Sequence, residues 1–93
     1  MFRPQKPISA SAETAARYIL LLAQNTEQEP ELITQLRLHK LLYYAQGWHL
    51  GIRGQPLFAE RIEAWKHGPV VAPLYPKFAD YGAVAIPAHE ACR

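Results

Sequence analysis

Histidine is the residue type in this sequence best suited to binding a metal or moving a proton. The chain carries four: His39, His49, His67 and His89. None lies three to five residues from another, and no carboxylate completes a known metal-ligand pattern. His39 and His49 would share a helix, but their spacing places them roughly 80° apart around its axis. The sequence therefore predicts no metal ion and no other cofactor.

The other groups that could take part in catalysis are a few hydroxyl, thiol and carboxyl side chains. Ser9, Ser11 and the single cysteine, Cys92, lie near the chain ends, where no rigid turn presents a nucleophile to a base. Glu60 and Glu63 could act as an acid and base pair, but the basic residues beside them favour a surface ion cluster. No glycine-rich phosphate loop occurs. We therefore expect no enzymatic activity.

Length and composition limit the remaining possibilities. The 93 residues fit one small domain, and 49% hydrophobic with 19% charged residues is typical of a globular chain that buries a core. Ten Lys and Arg against eight Asp and Glu leave a net charge of +2, too small for binding nucleic acid by charge alone. A lone cysteine and the lack of a long apolar run predict a cytoplasmic protein with no membrane contact.

The first predicted element is a helix whose inward face is rich in alanine. Residues 1–10 carry two prolines and no periodicity, which predicts a flexible lead-in. Ser11 is placed to cap a helix that ends at Gln24–Asn25, and an acidic, solvated loop follows over Thr26–Leu32. The apolar positions recur at helical spacing: Ala12, Ala15, Ala16, Ile19, Leu22 and Ala23.

The second predicted helix has the strongest periodicity in the chain. Thr34 is placed to cap it, and Leu50–Gly51 to end it. One apolar stripe follows a spacing of three and four: Leu38, Leu41, Leu42, Ala45 and Trp48. Tyr43, Tyr44 and Gly47 widen this stripe to more than half of the circumference, which predicts the central helix of the fold. Gly47 suggests that another backbone crosses close by.

The last third predicts a short hairpin and a short final helix. Leu57–Phe58 and Arg61–Trp65 are typical of extended pieces, and Gly68–Pro69 of a rigid turn. Pro73 is well placed in the first turn of a last helix that Gly82 ends. We thus predict a mainly α fold: a small helical domain over residues 11–82, a β-hairpin between the central and the last helix, and a tail over 83–93.

One segment favours a binding role. Residues 64–71 place Trp65, Lys66, His67 and a Gly-Pro pair within eight positions, and tryptophan often dominates the energy of protein interfaces. The alternative is that Trp65 caps the core and the Gly-Pro pair only directs the last helix. The basic and aromatic residues of the middle third also permit nucleic-acid binding, but aromatics belonging to the core explain them as well.

Several blocks of the sequence, in order and with short gaps, closely resemble the Panacea domain of SocA-like antitoxins and phage-associated proteins. The resemblance covers about residues 12–82. The blocks that carry it are Lys40–Leu50, Pro56–Phe58, Ile62–Val71 and Leu74–Tyr75.

This resemblance implies a mainly helical antitoxin that neutralises a cognate protein toxin by direct binding. It also implies, for the SocA branch, delivery of the toxin to a Clp-type protease. We expect the partner to be bound by Lys40, Tyr43, Tyr44, Trp48, Trp65, Lys66, His67, Gly68 and Pro69. Gln46 and Glu63 are expected to be buried polar residues that fix the hairpin against the helix. The alternatives are a DNA-binding regulator of its own operon and an inactive prophage-derived remnant.

The sequence departs from the family pattern in two ways. Family members usually continue with further helices and a late Leu, Thr, His and Trp motif, so the resemblance implies that this chain is truncated. If the missing helices normally cover the central helix, its apolar stripe would be exposed, and the chain would form a homo-oligomer or depend on its partner. The second departure is Pro73 with Pro76, where a more regular helix start is expected.

Overall fold

The structure is a computed structural model that describes residues 10–24 and 32–92. These ranges contain three helices and one hairpin, which confirms the predicted fold class. The lead-in over residues 1–9 and the acidic loop over 26–31 lie outside the described residues. The elements are α1 (Ala12–Gln24), α2 (Gln35–Arg53), β1 (Ile62–Trp65), β2 (Gly68–Val71) and the short α3 (Tyr75–Phe78), with 3₁₀ turns at Ala72–Leu74, Ala79–Tyr81 and Ala88–Cys92.

Helix α1 begins at the predicted cap. The Ser11 hydroxyl accepts a hydrogen bond from the N–H of Thr14 at 3.1 Å, and a Glu60 carboxylate oxygen accepts one from the N–H of Ala12 at 3.1 Å. Leu22, predicted on the buried face, is half exposed because it lies on the flank of that face, and Leu20 is buried instead. The buried residues of α1 are Ala12, Ala15, Ala16, Leu20 and Ala23.

Helix α2 also begins at its predicted cap but ends two residues later than expected, at Arg53. The Thr34 hydroxyl accepts from the N–H three residues on at 3.3 Å, with an extended backbone at Thr34. At the other end Gly54 adopts a left-handed φ of 72° and donates its N–H to the Leu50 carbonyl. The helix therefore continues through Gly51 to Arg53, because Gly54 supplies the positive φ that ends it.

The C-terminal half of α2 is not buried, which makes the predicted stripe wrong there. Leu38, His39 and Leu42 are buried, whereas Trp48 is 74% exposed. The prediction that a backbone crosses close to Gly47 is wrong within the described chain, since nothing lies within 4 Å of the position of a Cβ atom there. The elements that pack on α2 cover only its first half and its inward side.

The hairpin pairs different strands from those predicted. β1 pairs antiparallel with β2, from Ile62 opposite Val71 to Trp65 opposite Gly68, with Lys66 and His67 in the turn. Gly68–Pro69 therefore opens the second strand and does not form the turn, because the positive φ of Gly68, 136°, directs the chain back along β1. Val71 is fully buried against the core, together with Phe58 from the segment before β1.

The final helix is short, as the prolines predicted. Leu74 and Phe78 are buried, and Gly82 ends the helical stretch with a φ of 58°. Residues after Gly82, expected to form a tail, instead pack on the domain up to residue 92. Ala85 bridges to Thr34, the N–H of Ile86 donates to the Ile33 carbonyl at 2.7 Å, and the last 3₁₀ turn packs against α1. Backbone pairing and the burial of Ile86 hold this segment in place, and neither produces a hydrophobic period in the sequence.

Candidate partner-binding site

The outward side of α2 carries a cluster of exposed aromatic residues. Tyr43 and Tyr44 are about half exposed, with ring centroids 5.8 Å apart, and Trp48 follows one turn later. Soluble monomers seldom expose several large apolar side chains side by side unless another molecule covers them. We call this surface the α2 outer face, and define it as Lys40, Tyr43, Tyr44, Gly47, Trp48 and Leu50.

A groove adjoins the α2 outer face where the C-terminal half of α2 runs beside α1. Its volume is about 700 Å³. Tyr18 and Leu22 from α1 form one wall, and Tyr44 and Trp48 from α2 form the other, with Leu57 between them. Because α1 offers small alanines to the core, its larger residues Tyr18 and Leu22 remain at this outer edge. We call this feature the α1–α2 groove.

The charge on α2 is of one sign. The helix contains Arg37, Lys40 and Arg53 and no acidic residue, although the whole chain is nearly neutral. Lys40 lies on the α2 outer face between exposed apolar residues. A partner that covers this face would therefore be favoured if it carried carboxylates at the rim of an apolar patch.

Gln46 joins α2 to the segment before the hairpin. Its side-chain oxygen accepts hydrogen bonds from the N–H groups of Leu57 at 2.7 Å and Phe58 at 3.2 Å, and its side-chain nitrogen donates to the Phe58 carbonyl at 2.9 Å. This amide thus replaces the strand partner that residues 57–58 lack. Gln46 orients the buried Phe58 and sets the position of the chain that leads into β1.

Glu63 has a different role from the one expected. Its carboxylate accepts from the Arg61 guanidinium at 2.7 Å and from the Trp65 indole N–H at 2.8 Å, both on the hairpin itself. The hydrogen bond from Trp65 and the contacts with Arg61 lower the pKa of the Glu63 carboxyl. Glu63 is half-buried rather than buried, and these two partners belong to its own strand and the residue before it, so the contacts do not join the hairpin to α2.

A second concave site lies where the hairpin turn meets the start of α2. It has a volume of about 320 Å³, and we call it the hairpin pocket. Trp65 contributes one wall and packs on Tyr75 with ring centroids 4.8 Å apart. Its lining residues are Gln35, Leu36, His39, Trp65, Lys66, His67, Gly68, Val70, Tyr75, Gly82 and Ala83.

His39 is the buried histidine of the domain's described part, with 1% of its surface exposed. Its Nδ1 atom accepts a hydrogen bond from the Val71 N–H at 3.1 Å, so the proton of the neutral ring is on Nε2. Burial lowers the pKa of His39 below its usual value. The ring therefore acts as a neutral link between α2 and β2. A polar residue between Leu38 and Leu42 on the buried face was the sequence signal for this role.

The structure divides the residues expected to bind a partner between two places. Lys40, Tyr43, Tyr44 and Trp48 lie on the α2 outer face, whereas Trp65, Lys66, His67 and Gly68 line the hairpin pocket, and Pro69 lies in β2 outside that lining. Sequence reasoning missed the contributions of Tyr18, Leu22, Gln35 and Tyr75, since residues from separate elements meet only in the folded chain.

The described residues contain no cluster of three or more His, Cys, Asp or Glu side chains of the kind that holds a metal ion. Among the helices over residues 10–24 and 32–92, none has the length and apolar character to cross a membrane.

Comparison with known protein families identifies the family of this chain. Residues 38–92 match the model of the family described as antitoxin SocA-like, Panacea domain. The chain belongs to this family. The Panacea match includes α2 from Leu38 onward, the hairpin and the last 3₁₀ turn, so it also covers the segment after Gly82 that the sequence alone did not place in the fold.

A curated relative of this Panacea chain is Antitoxin SocA from Caulobacter vibrioides. The two are 38% identical over 78 residues, which is 84% of this chain and 40% of that relative. The chain thus spans less than half the length of the relative that it matches. No solved structure shows a significant match to this chain.

Proposed function

We propose that this Panacea chain acts as a cytoplasmic antitoxin that neutralises a cognate protein toxin by direct binding. Two findings support the proposal: membership of the SocA-like family and similarity to a protein named Antitoxin SocA. The observation that carries it in the structure is the α2 outer face, where Trp48 is 74% exposed beside two half-exposed tyrosines. Large aromatic side chains of this kind supply most of the binding energy at many protein interfaces.

The toxin is expected to cover the α2 outer face and enter the α1–α2 groove. Trp48 and Tyr44 belong to both surfaces, so one apolar segment of the toxin could contact them together. The absence of acidic residues on α2 favours a toxin segment that carries carboxylates around an apolar patch. The Lys40 ammonium on this face would meet the same positive charge in a second copy of the chain, which disfavours that occupant.

The finer part of the proposal is that binding delivers the toxin to a Clp-type protease. An adaptor needs separate surfaces for its cargo and for the protease, and the chain offers two, the α2 outer face and the hairpin pocket. Occlusion and delivery differ in the fate of the toxin. Occlusion leaves the amount of toxin unchanged, whereas delivery shortens its lifetime only where the protease is active.

The test begins with purification of the tagged chain, expressed together with its neighbouring genes. One stoichiometric small protein from an adjacent gene, which stops growth when expressed alone, is the expected result. Trp48→Ala should weaken its binding by about 30-fold and abolish growth rescue. Leu32→Ala removes an equally exposed apolar side chain, 76% exposed, outside the α2 outer face and should change neither readout.

Toxin lifetime in hosts with and without Clp proteases then separates delivery from occlusion. Recovery of the chain alone or as a homo-oligomer, with circular dichroism showing a folded protein, would contradict the antitoxin function. Binding to the promoter of its own operon that weakens steeply with salt, without a bound toxin, would instead establish the DNA-binding regulator.

A further inference from the structure

The hairpin pocket has two large apolar side chains that remain open to solvent. Leu36 on α2 is 46% exposed and Trp65 on β1 is 42% exposed, and both line this one concave site. Exposed apolar side chains that gather around a hollow mark binding sites more often than singly scattered ones do. The pocket therefore offers an apolar surface on which a partner can bury an apolar group of its own.

The indole of Trp65 is held in place by its neighbours on the chain. Its N–H donates to the Glu63 carboxylate at 2.8 Å, and its ring packs on Tyr75 with the centroids 4.8 Å apart. A side chain fixed in this way loses little conformational entropy on binding. Nothing lies within 4 Å of the position of a Cβ atom at Gly68 or Gly82, so the backbone in these parts of the lining is also open to a partner.

The size of the hairpin pocket suits one ring and a small neighbouring group. Its volume is about 320 Å³. A cavity of roughly 150 Å³ is enough to bind a benzene ring. Pockets for drug-sized molecules have volumes of about 300 to 1,000 Å³, so this one is near the lower limit. It therefore fits one or two side chains of a partner better than a large cofactor.

The polar rim of the hairpin pocket is basic. Lys66 and His67 form the hairpin turn, and no Asp or Glu belongs to the described lining. The Glu63 carboxylate, which reaches the Trp65 indole, also accepts from the Arg61 guanidinium at 2.7 Å, so a cation on the hairpin already offsets its charge. A partner group that carries a carboxylate is therefore favoured at this rim.

We propose that the hairpin pocket binds a segment of a partner protein that carries an aromatic side chain next to a carboxylate. The ring packs against Leu36 and Trp65, and the carboxylate lies near Lys66 at the hairpin turn. The site is separate from the α2 outer face, so the proposal does not depend on the antitoxin function.

A nucleic acid would bring a similar pair of groups, a flat base and a phosphate. Binding of a single strand, however, requires a groove in which several basic residues follow the backbone, in addition to aromatic side chains for stacking. The described lining carries Lys66 and His67 at one end, and the net charge of the chain is +2. An acidic peptide segment fits this arrangement better.

The experiment is a titration of the ¹⁵N-labelled chain with short peptides, followed by NMR. The probe is acetyl-Asp-Phe-Asp-amide, which carries a carboxylate on each side of a ring. Acetyl-Asn-Phe-Asn-amide removes the charge, and acetyl-Asp-Ala-Asp-amide removes the ring. The indole N–H signal of Trp65 reports on the pocket, and that of Trp48, which lies outside it, is the internal control. We expect a saturable shift of the Trp65 signal, with each altered peptide binding about 3- to 10-fold more weakly.

Two variants with matched controls test the walls and the rim of the pocket. Leu36→Ala should weaken binding of the Asp-Phe-Asp peptide by about 3- to 10-fold. Leu50→Ala should not, although Leu50 lies on the same helix and is 45% exposed. Lys66→Gln should weaken binding by about 2- to 5-fold, whereas Lys40→Gln, on the α2 outer face, should leave it unchanged.

Equal binding of the Asp-Phe-Asp and Asn-Phe-Asn peptides, or no shift of the Trp65 signal, would overturn the proposal. These comparisons use the unmodified chain, so they hold even if a variant does not fold. Unchanged affinity in folded Leu36→Ala and Lys66→Gln variants would overturn it as well. Tighter binding of 3-phenylpropionate would assign the pocket to a small carboxylic acid, and tighter binding of a single-stranded oligothymidylate would assign it to a nucleic acid; either result would refute a peptide partner.

Discussion

Replacing Gln46 by alanine tests how the chain before the hairpin is held on α2. The substitution removes three hydrogen bonds, from the N–H groups of Leu57 and Phe58 and to the carbonyl of Phe58. Each contributes about 0.5–1.5 kcal/mol net, and the backbone groups left behind are partly buried, so we expect a loss of about 2–4 kcal/mol. For a domain of this size that corresponds to a fall in melting temperature of roughly 10–25 °C.

The assay is urea denaturation followed by circular dichroism, with thermal melting as a second measurement. Gln24→Ala is the control, because it removes one exposed hydrogen bond and should cost less than about 1 kcal/mol. Gln46→Glu should lie between the wild type and Gln46→Ala, since a carboxylate still accepts from both N–H groups but cannot donate to the Phe58 carbonyl. Equal losses for Gln46→Ala and Gln24→Ala would refute the assigned role of Gln46.

Three further predictions follow from the same structure. Gly47→Ala should stabilise the isolated chain by about 0.5–1 kcal/mol, because Gly47 is helical with open space around it. Gly54→Ala should destabilise the chain by about 1 kcal/mol, because Gly54 has a positive φ. The two changes in the free energy of unfolding, measured by urea denaturation, should have opposite signs, and equal signs would contradict the open space around Gly47. Because burial lowers the pKa of His39 below 6.5, the unfolded chain takes up a proton that the folded chain does not. Stability should thus be full above about pH 6.5 and decrease as the pH falls towards the folded pKa, and an NMR titration of His39 with a midpoint at or above 6.5 would argue against this. Trp65→Ala should lower the melting temperature as well as any toxin binding, because Trp65 packs on Tyr75, whereas Trp48→Ala should leave the melting temperature nearly unchanged.

Local signals in the sequence predicted the helices well. The helix caps predicted at Ser11 and Thr34 are both present, because a cap depends only on residues three positions apart. The alanine-rich face of α1 is buried for the same reason, since helical spacing alone brings those residues together. Pro73 and Gly82 likewise bound a short helical stretch through their own backbone preferences.

Predictions that depended on distant neighbours were less successful. Trp48 continues a regular apolar stripe, but whether that stripe is buried depends on what packs over it, and in the described chain nothing covers it. Gln46 and Glu63 looked alike as polar residues in apolar surroundings. The folded chain distinguishes them, because Gln46 hydrogen-bonds the backbone of Phe58 whereas Glu63 hydrogen-bonds Arg61 and Trp65 beside it.

The sequence by itself determined the helical character of the chain, its caps and breaks, the presence of a hairpin, and the family to which it belongs. Tertiary structure alone decided that residues 88–92 pack on α1 and that Gln35 and His39 meet Trp65 around one pocket. It also decided that α2 keeps an aromatic face open to a partner. The physical reason is the range of the forces: caps and periodicity act within one or two turns, whereas burial depends on which surfaces meet after the chain has folded.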